Sequence, residues 1–396
     1  MNQRTTRLGL LVAASAAALL ALTACVPNST TTSRSSSTTK LTVNSSATAC
    51  AVSANTAPSG TVSFTVTNSA DKITEFYLLG ADGLRVVGEV ENVTPGVKRT
   101  LTVQLQPGNY FTVCKPGMAG DGVGRAAFTV TDSGASIKPA GDLTAQTTVA
   151  AKNYVAYVKD QVAQLVPANQ AFLAAYLAGD DAKARSLYAS TRAYYERIEP
   201  VAESFGHLDP ELDFREADVA EGDEWTGWHR IEKDLWPPAG VGYVALTPDQ
   251  RKYYADKLST NVDQLHAAVN SPDYAVSIDA ISNGAIGLLD EVASGKITGE
   301  EEIWSHTDLW DFQANLEGAR VAYEGVRDIA RTKSPSLVKT IDARFAALEK
   351  QLAGYGSLTT GFTYYNELST AQIKSLADGV NALSEPLSKL TATLVK

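Results

Sequence analysis

The chain has 396 residues, 44% of them hydrophobic and 20% charged, which is enough for two separately cored domains. Its net charge of −10 argues against nucleic acid or an anionic membrane surface as a partner and suits cations. The three cysteines and four histidines leave few places for sulfur or imidazole chemistry.

The first element is a leader. Arg4 and Arg7 precede an almost wholly apolar run, Leu8 to Leu22, and Leu22-Thr-Ala-Cys25 has the form of a lipobox. The run is too short and too rich in small residues for a stable membrane span. The competing reading is an uncleaved anchor in which the cysteine is incidental. Cleavage before Cys25 and its acylation would tether the mature protein outside the cytoplasmic membrane, with a charge of −12 once Arg4 and Arg7 are gone. Residues 1–24 are thus read as a signal peptide and 25–40, mostly Ser and Thr, as a flexible tether.

Residues 41–132 carry a period of two. Val62, Phe64 and Val66 alternate with Ser63 and Thr65, and Leu101, Val103 and Leu105 with Thr102 and Gln104. Pro95-Gly96 and Pro107-Gly108 mark turns, so the segment is expected to form a small β-sandwich. It contains no histidine, which excludes a conventional blue-copper centre of two His and one Cys. Glu89 and Glu91, two apart, should point to one face of a strand, and Glu75 lies in a strongly apolar one. Carboxylates suit iron(III); the Cys114 thiolate and the Met118 thioether would suit copper(I). Against these stands a solvated acidic face plus a Cys50–Cys114 disulfide, the default pairing in an oxidising compartment. Both uses of the two cysteines stay open at this point.

Residues 133–148 read as a linker. Beyond them the period becomes 3.6: Tyr154, Val158, Val162 and Leu165 form one stripe, continued by Leu173, Tyr176 and Leu177. Similar patterns at 188–198, 253–269, 274–289, 309–329, 337–352 and 373–394 make residues 149–396 a helical bundle. The fold class is multidomain, β followed by all-α.

Within the bundle, Trp225-Thr-Gly-Trp-His-Arg-Ile-Glu-Lys-Asp-Leu-Trp236 places His229 and Glu232 at i and i+3 on one helix face. Trp228, Ile231 and Leu235 form an apolar stripe beside them, so the pair borders a packed interior, where a carboxylate needs a partner or a metal. Glu196, Glu199 and Glu203 share a face across a proline kink, and Glu300-Glu301-Glu302 precedes Ser305-His-Thr-Asp308. Asp308 is equally readable as a helix cap and His306 as a satisfied histidine. Hydrolytic chemistry fits poorly: the inverted zincin motif needs His after Glu232, where this chain has Lys233.

Three motifs then carry a resemblance. Trp225 to Trp236, Ile198-Glu-Pro-Val-Ala-Glu-Ser-Phe205 and Ser305-His-Thr-Asp-Leu-Trp-Asp-Phe-Gln-Ala-Asn315 closely resemble the imelysin-like domain of the EfeO family, extracytoplasmic iron-binding components of the Efe ferrous-iron uptake system. The β region resembles that family's cupredoxin-like module through Thr74-Glu-Phe76, Val86-Val-Gly-Glu-Val-Glu-Asn-Val-Thr-Pro-Gly96 and Cys114. Together they cover nearly the whole mature chain.

The resemblance implies a lipid-anchored protein, not an enzyme, that holds iron, Fe2+ or Fe3+, for delivery. It implies an iron permease and a secreted haem peroxidase as partners; copper stays a further candidate for the β domain on the chemistry of Cys114 and Met118 alone. His229 and Glu232 become the imelysin-type metal motif, and Glu75, Glu89, Glu91, Cys50 and Cys114 the ligands of the β module. Glu199, His306 and Asp308 join the candidate set because strong family motifs contain them. The chain has Tyr77 where some members carry Glu. The alternatives are a secreted metal-dependent peptidase and a cation-dependent binder of polyanionic polysaccharide.

Overall fold

The computed structural model describes residues 38–117, 120–134, 142–240, 242–294 and 296–395. The leader, Cys25, most of the tether and Met118 lie outside these residues.

The strands of the β domain are β1 (Thr39–Ser45), β2 (Cys50–Val52), β3 (Thr56–Pro58), β4 (Gly60–Asn68), β5 (Thr74–Leu79), β6 (Val86–Val93), β7 (Lys98–Leu105), β8 (Gly108–Cys114) and β9 (Val123–Thr131). They form two sheets, β2-β1-β4-β7 and β3-β9-β8-β5-β6. Strand β4 keeps the alternation of its sequence, with Val62, Phe64 and Val66 buried between the sheets. The Phe64 ring lies 5.3 Å from Phe76 and 5.5 Å from Phe128 of the facing sheet.

Strand β5 departs from alternation because both of its faces are covered. Phe76 and Leu78 join the sandwich core, while Tyr77 and Leu79, with Val86 and Val113, pack into the core of the helical part. The β domain is therefore seated on the bundle by apolar packing. Polar contacts flank that seat: Lys115 pairs with Asp160, both buried, and Asn153 donates to the Val87 carbonyl at 3.0 Å. Arg85 also reaches Glu324 at 3.4 Å.

The helices are α1 (Leu143–Leu177), α2 (Asp181–Glu196), α3 (Leu208–Asp213), α4 (Trp228–Leu235), α5 (Pro248–Val269), α6 (Ile278–Ser294), α7 (Asp308–Lys333), α8 (Pro335–Leu352), α9 (Thr370–Leu387) and α10 (Leu390–Val395). Helix α1 packs against α2, α5 and α7, and α7 also meets α6 and α8. None of the helices among the described residues is long and apolar enough to cross a membrane.

Boundaries differ from the sequence reading where polar side chains cap. Helix α1 opens at Leu143, inside the stretch read as linker, because Asp142 accepts from the Ala145 amide at 2.9 Å. Helix α6 opens at Ile278 rather than near Tyr274, where Ser277 accepts from the Ala280 amide at 3.3 Å. The last pattern divides into α9 and α10 just after Pro386, whose ring and missing N–H oppose further helix.

Candidate metal centre

Helix α4 carries the His–Glu pair, and its position is fixed by Gly227. This residue has φ 86°, and a Cβ there would fall 2.2 Å from the Leu212 carbonyl oxygen, so only glycine lets α4 begin so close to the end of α3. Thr226 adds a hydrogen bond from its hydroxyl to the Glu211 carbonyl at 2.8 Å. That approach brings Asp213, the last residue of α3, to the His229 ring.

Trp228, Ile231 and Leu235 are fully buried as the apolar stripe required, and Trp228 donates to Asn169 at 3.2 Å. His229 and Glu232 are fully buried beside them. Nδ1 of His229 lies 3.1 Å from Glu232, whose other oxygen accepts from the backbone amides of Trp304 at 3.1 Å and Ser305 at 2.7 Å. Nε2 of His229 has no hydrogen-bond partner and faces Asp213 and Glu301 carboxylate oxygens, each at 3.6 Å.

Two groups of donor atoms therefore meet on one imidazole: Asp213, His229 and Glu301, and His229, Glu232 and Glu302, with the atoms of each group within 4.8 Å of one another. Nitrogen and oxygen at such spacing can share one ion at ~2.0–2.6 Å from each.

The surrounding charge is unusual for an interior. Arg192 of α2, fully buried, pairs with Glu196 and Asp213, lies 2.6 Å from Glu302, and reaches Glu301 and Asp311 at 3.8 Å. Lys296 is held by Glu199 at 2.7 Å and Glu196 at 3.2 Å. Asp308 sits behind Glu302, accepting its backbone N–H at 3.2 Å, and its second oxygen is buried without a hydrogen-bond partner.

Burial and the Glu302 charge push the Glu232 carboxyl up to about 7, and burial does the same for Asp308. Burial and the Arg192 guanidinium pull the His229 imidazole down. The carboxylates of Glu232, Glu301 and Glu302 outweigh them and hold it at about 10. Burial works against the Glu301 carboxylate too, but Lys296, His229 and Arg192 hold it well below its ordinary range. A buried cluster with more carboxylates than cations is the environment a bound metal ion would complete.

A cavity of 940 Å³ reaches this centre. Asp213, Glu301 and Glu199 line it, with Glu203, Asp209 and Asp218, and Arg215 is the cation among its lining residues. One wall is the 3₁₀ turn Glu199–Phe205 packed on α6, where a Cβ on Gly284 would fall 1.7 Å from the Pro200 carbonyl oxygen.

Other candidates from the sequence fall elsewhere. Glu199 turns to Lys296, and Glu203 is exposed. His306 is half-buried at φ 59°, and its backbone closes the turn by donating to the Glu302 carbonyl at 2.7 Å and accepting from the Tyr365 amide at 2.9 Å. Neither donor group includes Glu199, His306 or Asp308.

In the β domain Cys50 and Cys114 form a disulfide, so their assignment as metal-binding thiolates is corrected, and the copper(I) reading loses its sulfur anion. Buried Glu75 accepts from the Tyr77 hydroxyl at 3.0 Å, and Glu89 lies across from Tyr77 in the ladder. The β5–β6 register slips between Val90 and Val93, where Asn92 has φ 55°. Glu91 falls in this stretch and its side chain lies outside the described residues, so the expectation that it shares a face with Glu89 lies outside them too. Both donor groups found among the described residues lie in the helical part.

Sequence reasoning noted the run Glu300 to Glu302 only as an acidic cluster and missed Arg192, Asp213, Lys296 and Asp311. Each comes from a different element, and only Gly227 inside the motif hinted at a close neighbour.

Residues 150–390 match the imelysin family and residues 13–123 a cupredoxin-like domain. The chain is thus a cupredoxin-like module joined to an imelysin domain. It is 37% identical over 348 residues to the iron uptake system component EfeO of Escherichia coli O157:H7, covering 86% of this chain and 87% of that protein. The proteins of the same name from Escherichia coli strain K12 and Shigella flexneri are 36% identical over the same lengths. This chain belongs to the EfeO family.

Proposed function

We propose that this protein is an extracytoplasmic iron-binding component of an uptake system, anchored by lipid at Cys25, that captures iron and passes it to a membrane permease. One observation carries the reading: a fully buried imidazole nitrogen, Nε2 of His229, has no hydrogen-bond partner and faces two carboxylates on the wall of an acidic cavity. Asp213, His229 and Glu301 would hold the ion. Glu232 would hold the ring through Nδ1, the carboxylate–histidine–metal arrangement that fixes tautomer and direction. Imidazole and carboxylate donors suit iron, and no thiolate takes part.

The name of the relatives, iron uptake system component, supports iron as the cargo. The lipobox supports placement outside the cytoplasmic membrane, with a secreted haem peroxidase of the same system as a second partner. Binding, not peptide hydrolysis, is favoured by Lys233. It stands where the inverted zincin motif needs its second histidine, and its ammonium instead pairs with Glu216 and lies over the Trp225 and Trp304 rings.

The test is anaerobic titration of the metal-free mature protein with Fe2+, followed by metal analysis after gel filtration. Retained iron in the unsubstituted chain and its loss in His229→Ala support the reading. Equal retention in both overturns it, and chelator-sensitive peptide hydrolysis would favour the peptidase.

A further inference from the structure

Glu301 faces two ways. Its Oε1 lies 3.6 Å from Nε2 of His229 and 3.7 Å from Nζ of Lys296. Lys296 opens the 3₁₀ turn Lys296–Thr298 and is only 4% exposed. Its ammonium donates to both oxygens of Glu199, at 2.7 and 2.9 Å, and to Glu196 at 3.2 Å. Asn315 ties the same two carboxylates together, donating to Glu196 at 2.9 Å and to Glu199 at 2.5 Å. Three carboxylates, two from the end of α2 and the turn after it and one from the Glu300–Glu302 run, thus converge on one positive charge, as they would on a small cation. Here the charge is covalently part of the protein.

We propose that Lys296 is a built-in cation that fills the position beside the iron site, limits the centre to one metal ion and weakens its hold on that ion. The proposal rests on the reading of the site given above. An ion bound by Asp213, His229 and Glu301 shares a carboxylate oxygen with the ammonium, and two like charges at that range repel strongly where solvent screening is weak. Lys296 holds Glu199 and one oxygen of Glu196, whose other oxygen pairs with Arg192, and both carboxylates are withheld from the metal. A carrier must give up its cargo, and a cluster of free carboxylates would retain it. Lys296 is thus a residue that sets affinity and stoichiometry without being a ligand.

Two substitutions in the full mature chain test this, with Mn2+ as a redox-inert probe in calorimetry and metal analysis. Lys296→Arg keeps the charge and should bind one equivalent, like the unsubstituted chain. Lys296→Met keeps the stem and removes the charge. It should bind two equivalents, the first at least about tenfold more tightly, and release them more slowly to a chelator. Damage to the fold would lower affinity, so a gain separates this role from a structural one. One equivalent at unchanged affinity in Lys296→Met overturns the proposal while leaving the site intact.

Where Lys296→Met does not fold without metal, the pair Lys296→Met with Glu199→Gln, which removes one charge of each sign, serves instead. Its first equivalent should again be tightened about tenfold, and unchanged affinity again overturns the proposal. Failure of the unsubstituted chain to bind any metal would overturn the proposed site and this inference with it.

Discussion

At the scale of single residues the two nitrogens of His229 have different partners, and that division predicts different mutational costs. His229→Ala, Asp213→Asn and Glu301→Gln should each weaken iron binding by roughly tenfold or more, as loss of a ligand would. Glu232→Gln should cost about tenfold through lost orientation of the ring. His306→Ala should stay within about twofold, because only its backbone serves the turn. Calorimetry of the five variants checks the order.

The same groups give a pH dependence. Glu232 and Asp308 are raised to about 7 from ordinary values of 4.5 and 3.8, so the stability they add is complete below those ordinary values and is lost as pH rises through about 7. His229, raised from 6.5 to about 10, adds stability that is complete below 6.5 and is lost as pH rises through about 10. The metal-free protein should therefore melt several degrees lower at about pH 8 than at about pH 5 on account of this centre. Bound Mn2+ should shrink or reverse the difference, because the ion stabilises the charged carboxylates and neutral imidazole. An unchanged difference with and without metal would detach these groups from the site. His229 and Glu232 were legible in the sequence because their spacing is local. Asp213, Glu301 and Arg192 were not, because nothing local reports which carboxylates a fold brings together.

At the scale of elements the centre depends on how closely α4 approaches α3. Gly227→Ala would impose a positive φ on a side-chain-bearing residue and drive its Cβ into the Leu212 carbonyl. The expected loss is at least about 2 kcal/mol of stability. Affinity should fall with it as Asp213 moves from the ring, which chemical denaturation and metal titration would show together. The sheets and long helices were readable wherever one face meets solvent and the other the core, as in β4. Strand β5 could be read as apolar, but its second buried face belongs to contacts with the bundle that no local pattern encodes. The bulge at Asn92 likewise escaped, since inserting one residue into a ladder leaves the hydrophobic alternation on either side intact.

At the scale of the whole molecule the two folds share a buried seam. Lys115 follows Cys114 at the end of β8 and pairs with Asp160 of α1 inside that seam. Lys115→Met would leave the buried Asp160 carboxylate with its Gln161 and Gln164 hydrogen bonds but no countercharge, and about 3 kcal/mol of stability should be lost. If the two domains melt together in the unsubstituted chain and separately in the variant, calorimetric scanning will resolve two transitions; a single unshifted one would deny the pair this role. The division into a β and a helical part was legible from the change of period. Their docking was not, because the contacts of Tyr77, Leu79, Val86 and Val113 pair residues far apart in the chain.

The placement of Nδ1 of His229 also has a spectroscopic consequence. The imidazole is fully buried and held against Glu232, so the proton between them is shielded from exchange with bulk water. Such a proton gives a separate, far-downfield resonance, and with only four histidines in the chain its assignment is tractable. A paramagnetic ion arriving at the opposite nitrogen would broaden that one line beyond detection, whereas a diamagnetic ion would shift it and leave it sharp. The ring thus offers a native reporter of occupancy, readable without labels or substitutions.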